Sequence, residues 1–206
     1  MNLIPRRAQG VSATEHGVAI GGNNNGQIIS ATNVVMLPTP EALPSMTSQL
    51  AVVIVSILGQ DEGAPVARPS VDAFKITDKL SHNSLVRYRP LIESYGDYAH
   101  IVERCYSAIE ESQPGVKTRF LKIVQSRYLE ERAILLHVER TSGLAAIEVI
   151  RANADYLFES LQGRLKNEHA GSNLAQSIYS EDAESSINML LGHAFVECRI
   201  FEKPSP

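Results

Sequence analysis

The sequence predicts a mainly α-helical protein: a helical bundle of four to five helices, preceded by a short N-terminal β-hairpin or arm. Three observations carry this. Apolar residues recur at helical spacing through most of residues 84–203, as in helices with one buried face. Residues 17–30 instead hold short β-type runs around a Gly/Asn-rich centre. Proline clusters separate these two regions.

Residues 1–16 are polar and aperiodic, a loose tail. Val18-Ala19-Ile20 and Gln27-Ile28-Ile29-Ser30 then bracket Gly21 to Gly26. Asn-Gly is a hairpin signal because both central residues of a type I′ turn need positive φ. Asn24-Asn25 and Asn25-Gly26 each fit the turn and place different residues opposite Ile20, so the register stays open. A hairpin this short is marginal alone. Its apolar residues Val18, Ile20, Ile28 and Ile29 are expected to pair with another copy or to extend a partner's sheet edge.

Pro38, Pro40 and Pro44 stiffen the next stretch into a non-helical linker. Ser45 or Thr47 can cap a helix running to about Gln60. Leu50, Val53, Ile57 and Leu58 have helical spacing, whereas Val52 to Val55 favour a strand. Length decides for helix. Gly63, Pro65 and Pro69 make a second break, which leaves residues 37–69 as linker plus one helix and 70–204 as the helical domain.

Pro90 suits a first helical turn, and Leu91, Ile92, Tyr95, Tyr98, Ile101, Val102, Cys105 and Ile109 form one stripe behind it. Gln113-Pro114-Gly115 ends that helix. The next spans about 116–139 on Phe120, Val124, Tyr128, Ile134, Leu135 and Val138. Thr141 or Ser142 is expected to cap a third helix, marked by Leu144, Ile147, Ile150, Ala154, Leu157, Phe158 and Leu161. Residues 166–179 read as a loop. Ser180 starts a last helix whose first-turn acids Glu181, Asp182 and Glu184 complement its dipole. Short connections between amphipathic helices make a bundle.

Composition narrows the function. With 206 residues, 44% hydrophobic and 20% charged, the chain has room for a real core. A net charge of -4 argues against a dedicated nucleic-acid binder. Cys105 and Cys198 sit in helical patterns rather than in a disulfide framework, which fits a reducing compartment. No secretory h-region follows Arg6 and Arg7, and the apolar run Leu50 to Leu58 is far shorter than the ~20 residues that span a bilayer. The expected location is the cytoplasm, without membrane contact.

The sequence offers no recognisable catalytic group, metal ligand set or cofactor site. Gly21 to Gln27 lacks the Gly-Lys-Ser/Thr of a phosphate-binding loop. No His-Glu-x-x-His pair occurs, and His193 and Cys198 point about 140° apart on a helix. Asn83, after His82, is expected to cap a following helix. One cluster stands out: Lys117, Arg119, Lys122 and Arg127, which with Lys75, Lys79, Arg87 and Arg89 could form a basic patch for phosphate or an acidic partner.

Three stretches resemble a known family. They are Ile76-Thr77-Asp78-Lys79-Leu80-Ser81-His82-Asn83, then Gln113-Pro114-Gly115-Val116-Lys117-Thr118-Arg119-Phe120-Leu121-Lys122-Ile123, and finally Ala194-Phe195-Val196-Glu197-Cys198-Arg199-Ile200-Phe201-Glu202-Lys203-Pro204. Together, over roughly residues 70–204, they resemble the C-terminal helical domains of bacterial ABC three-component systems. These conflict or phage-defence cassettes join an ABC ATPase, a small middle component and a third protein with this domain. The segment Glu15 to Gly26 is similar to Gly/Asn-rich leaders on bacterial defence proteins. The resemblance implies a non-enzymatic docking component, partnered by an ABC-type ATPase and the small middle component. It carries no catalytic residues. Residues 1–70 are too short for most of the effector domains found at that position, and the β arm is expected to make homo-oligomers. Nucleic acid is the alternative partner, through the Lys/Arg cluster.

Overall fold

The computed structural model describes residues 42–60 and 73–204. Val18, Ile20, Ile28 and Ile29, and with them the expected β-hairpin, lie outside the described residues. Eight α-helices and two short 3-10 turns make up the described part, with no strand among them. The protein is mainly helical, as its periodicity implies.

Helix α1 (Met46–Leu58) starts where the sequence places it: the Ser45 side chain accepts from the Ser48 N–H. The helix wins over the strand reading because Leu50, Ala51, Ile54 and Ile57 share one face and are all buried. That face packs against the later helices Tyr95–Glu110, Ala154–Ala170 and Ser180–Val196. Helix α2 (Ala73–His82) is not foreseen. Its inward face carries Ile76, Lys79 and Leu80, so a charged residue interrupts the apolar pattern that would have marked it. Asn83 therefore follows the C-terminal end of a helix instead of capping an N-terminus.

The expected count of four to five helices is too low because α2 is added and two long helices are each divided. Helix α3 (Arg89–Glu93) and α4 (Tyr95–Glu110) meet at Ser94, whose hydroxyl donates to the Leu91 carbonyl. Pro90 sits in the first turn of α3, as expected. Helix α5 (Val116–Val138) follows Gly115, which takes φ 74°, a left-handed conformation that glycine adopts without steric cost. Helix α6 (Ala146–Ala152) begins later than Thr141 or Ser142, and Glu148 reaches back to the Ala145 N–H. Asn153 then separates α6 from α7 (Ala154–Ala170), which covers the first part of the expected loop.

Helix α8 (Ser180–Val196) is the hub. It packs against α1, α3, α4, α5 and α7, and every residue from Met189 to Phe195 is buried. A helix apolar nearly all round belongs inside a core. Against α4 it packs tightly, with Gly192 facing the Tyr95 side chain.

Both α2 and α8 close in the same way. The Leu85 N–H returns to the Leu80 carbonyl and the Ser84 N–H to Ser81; likewise Arg199 returns to Ala194 and Cys198 to Phe195. These are Schellman closures with Ser84 (φ 56°) and Cys198 (φ 54°) in the left-handed position usually held by glycine. After α8 the chain folds back, and Ile200 and Phe201 enter the core.

Candidate functional site

The segment after α8 is held by two buried polar residues of α2 and its end. Lys79 Nζ donates to the carbonyls of Phe195 (2.6 Å) and Ile200 (2.7 Å) and lies 4.3 Å from the centre of the Phe195 ring. Burial pulls the Lys79 ammonium down to about 8, and the nearby Cys198 thiol offsets part of that shift. Asn83 Nδ2 donates to the carbonyls of Lys79 and Glu202, and its Oδ1 accepts from the Glu202 N–H. The Glu202 carboxylate lies 3.2 Å from Arg132 Nε. Cys198 to Glu202 thus forms a latch across α2, α5 and α8. His82, adjacent to Asn83, turns elsewhere: Arg151 donates to its carbonyl and lies 3.2 Å from its Nδ1.

A second polar centre lies where α4, α5 and the end of α8 converge. Tyr95 Oη and His193 Nδ1 are 2.6 Å apart. His193 is 1% exposed, and its Nε2 has no hydrogen-bond partner. The buried Tyr106 hydroxyl has none either, and its ring centre is 5.3 Å from that of His193. At the outer edge Lys117 Nζ bridges Glu103 (2.8 Å) and Glu197 (3.2 Å). Burial, reinforced by the Lys117 charge, holds the His193 imidazole down at about 4, so it is neutral at neutral pH. Burial pushes the Tyr95 and Tyr106 hydroxyls above the ordinary tyrosine range.

The four basic residues singled out in the sequence separate here. Lys117 and Arg127 are held by carboxylates, Arg127 Nε by Glu168 at 2.9 Å. Arg119 and Lys122 are exposed. Lys79 is buried, so it cannot belong to a solvent-facing basic patch. Cys105 is fully buried, its thiol directed at the Leu50 carbonyl and pushed up to about 12 by burial, which makes it an unreactive core thiol.

Residues 48–202 match C-terminal domain 10 of the ABC-three component (ABC-3C) systems. The chain belongs to this family. No curated protein and no solved structure matches it. The match spans α1 to the latch, so the segment Cys198 to Glu202 is an integral part of the ABC-3C domain.

One face of this ABC-3C domain carries apolar side chains that the core does not cover. Ile134 and Val138 on α5 and Tyr156 on α7 line a shallow groove of about 230 Å³, and each is more than half exposed. Ile134 and Val138 were expected in the core stripe of α5. Beyond Tyr128 only Leu135 of that helix is buried, so the stripe continues into solvent. Among the described residues no helix is long and apolar enough to cross a membrane.

Proposed function

We propose that this chain is the docking component of an ABC-3C system in bacterial conflict or phage defence, and that its helical domain binds the ABC-type ATPase complex. The observation that carries this reading is the exposed apolar groove of Ile134, Val138 and Tyr156 on a domain whose family works in multi-component systems. Apolar side chains left uncovered together favour a protein partner. The aromatic Tyr156 is the kind of side chain that dominates interface energetics. The segment 17–36, through Val18, Ile20, Ile28 and Ile29, gathers copies of the chain, a role supported by the β-type runs in its sequence.

The test is co-expression with the neighbouring ABC ATPase and the small middle component. Wild-type protein is expected to copurify with them. Ile134→Asp and Tyr156→Ser are expected to release the partners while circular dichroism stays unchanged. Copurification that ignores both substitutions rejects the groove as the docking face. Deleting residues 1–36 is expected to lower the solution mass by light scattering. The nucleic-acid alternative keeps Arg119 and Lys122 as its open cations. Two phosphate contacts predict only weak binding, with a shallow slope of log affinity on log salt of about -2.

A further inference from the structure

We propose that Glu103, His193 and Glu197 form a binding site for a divalent first-row transition ion, zinc by the class of its donors, with Lys117 as a built-in competitor for the same position. One ligand atom from each of the three residues lies within 4.8 Å of the others. Ligand atoms about 2.0–2.2 Å from a tetrahedral zinc stand roughly 3.5 Å apart. Small rotations of the two carboxylates close that gap. Both are free to make them, being 49% and 36% exposed on their side chains.

Two exposed carboxylates alone would be an ordinary acidic pair. His193 changes that. Its Nε2 is buried, unpartnered and 4.0 Å from Glu197 Oε1, so a polar atom has given up water and received nothing in return. The far side of the ring is fixed: Tyr95 Oη on Nδ1 is the outer contact that orients a metal-bound imidazole. Coordination through Nε2 requires the neutral tautomer with the proton on Nδ1, donated to Tyr95 Oη. The mixed imidazole and carboxylate set selects a transition ion over magnesium or calcium, which prefer oxygen alone.

Lys117 shows that the carboxylates already hold a cation. Its ammonium sits between Glu103 and Glu197 and supplies one positive charge where zinc would supply two. Metal entry must displace it. The three protein ligands come from α4 and the end of α8, so binding would fix the start of the latch. Three protein donors leave a fourth position for water.

The experiment is calorimetric titration of the full chain with zinc alone and with magnesium alone, followed by cobalt substitution read by visible absorption. One zinc per chain and a tetrahedral cobalt spectrum are expected. Glu103→Gln with Glu197→Gln, both surface changes, should weaken zinc at least tenfold. Lys117→Met should tighten it about tenfold by removing the competitor. His193→Gln should abolish the cobalt spectrum. Zinc binding that none of these substitutions moves is adventitious, through other histidines, and overturns the proposal. So does magnesium binding as tightly as zinc, or no binding in the Lys117→Met chain.

Discussion

Asn83 and Glu202, 119 residues apart, exchange hydrogen bonds in both directions: Asn83 Nδ2 donates to the Glu202 carbonyl at 2.8 Å and Glu202 N–H donates to Asn83 Oδ1 at 3.0 Å. A single side chain thus does for the latch what a neighbouring strand does for an edge. The same Nδ2 also closes α2 on the Lys79 carbonyl. Asn83→Ala leaves the Glu202 N–H and carbonyl without these partners in a part-buried place, while the Lys79 carbonyl keeps the backbone N–H of residue 83. Each such group costs about 1–3 kcal/mol. The expected loss is about 2–4 kcal/mol by urea denaturation, with faster proteolysis after Cys198. A variant of wild-type stability and protease resistance would mean that the latch holds without Asn83.

Lys79 tests the other half of the latch. Lys79→Met keeps the length and packing of the side chain but removes the donors to the Phe195 and Ile200 carbonyls. Replacing a buried charge by an apolar group can be neutral when nothing is left unpaired. Here the Ile200 carbonyl loses its Lys79 donor and the Phe195 carbonyl keeps only the Cys198 N–H, so a net destabilisation of about 1–3 kcal/mol is expected. Because the folded ammonium titrates near 8 and the free one near 10.5, the unfolded chain binds more protons between those values. Wild-type stability should therefore gain from this group as pH rises through that window, and Lys79→Met should lose the gain. Identical slopes in the two proteins would contradict it.

The start of α5 and the start of α8 were legible because Gln113-Pro114-Gly115 and the acidic turn after Ser180 are local signals. Ser94 and Asn153 were not, since neither is Pro or Gly. Ser94 itself stays in the helical region, at φ -68° and ψ -15°. Helix α2 was hidden by Lys79, whose burial depends on carbonyls supplied from the far end of the chain. The polar centre was half legible. His193 and Glu197 stand four apart on the last turn of α8, a spacing that places two ligands on one face. Glu103 and Lys117 join that pair only through the packing of α4 and α5 on α8, which no local pattern encodes.

His193 predicts an acid limb to the stability curve. Its folded imidazole titrates near 4 and the unfolded one near 6.5, so the unfolded chain binds more protons in between. Stability from this group is complete above about pH 6.5 and is lost as pH falls toward 4. The loss amounts to at most about 3 kcal/mol at one group's slope of about 1.4 kcal/mol per pH unit. Urea midpoints from pH 7 to 5, with a chelator present, should fall in the wild type and stay flatter in His193→Gln. Parallel slopes in the two proteins would sink this assignment.

Gly192 and Gly163 make a matched pair for the packing of α8. Both sit inside helices, where Gly→Ala is worth about 1 kcal/mol in propensity. A Cβ at Gly163 meets nothing within 4 Å, so Gly163→Ala should stabilise the protein by about 0.5–1 kcal/mol. A Cβ at Gly192 would lie 3.1 Å from Tyr95 Cβ and from Cδ2. Tyr95 cannot swing away cheaply, because Cβ is fixed to the α4 backbone and the hydroxyl is held by His193. Helix α4 must shift instead, at a cost of about 1–3 kcal/mol for an overpacked contact. That offsets or outweighs the propensity gain, so Gly192→Ala should give no stabilisation and a net loss of up to about 2 kcal/mol, with an unchanged denaturant slope. If Gly192→Ala proves as stabilising as Gly163→Ala, the α4–α8 contact is looser than these distances imply.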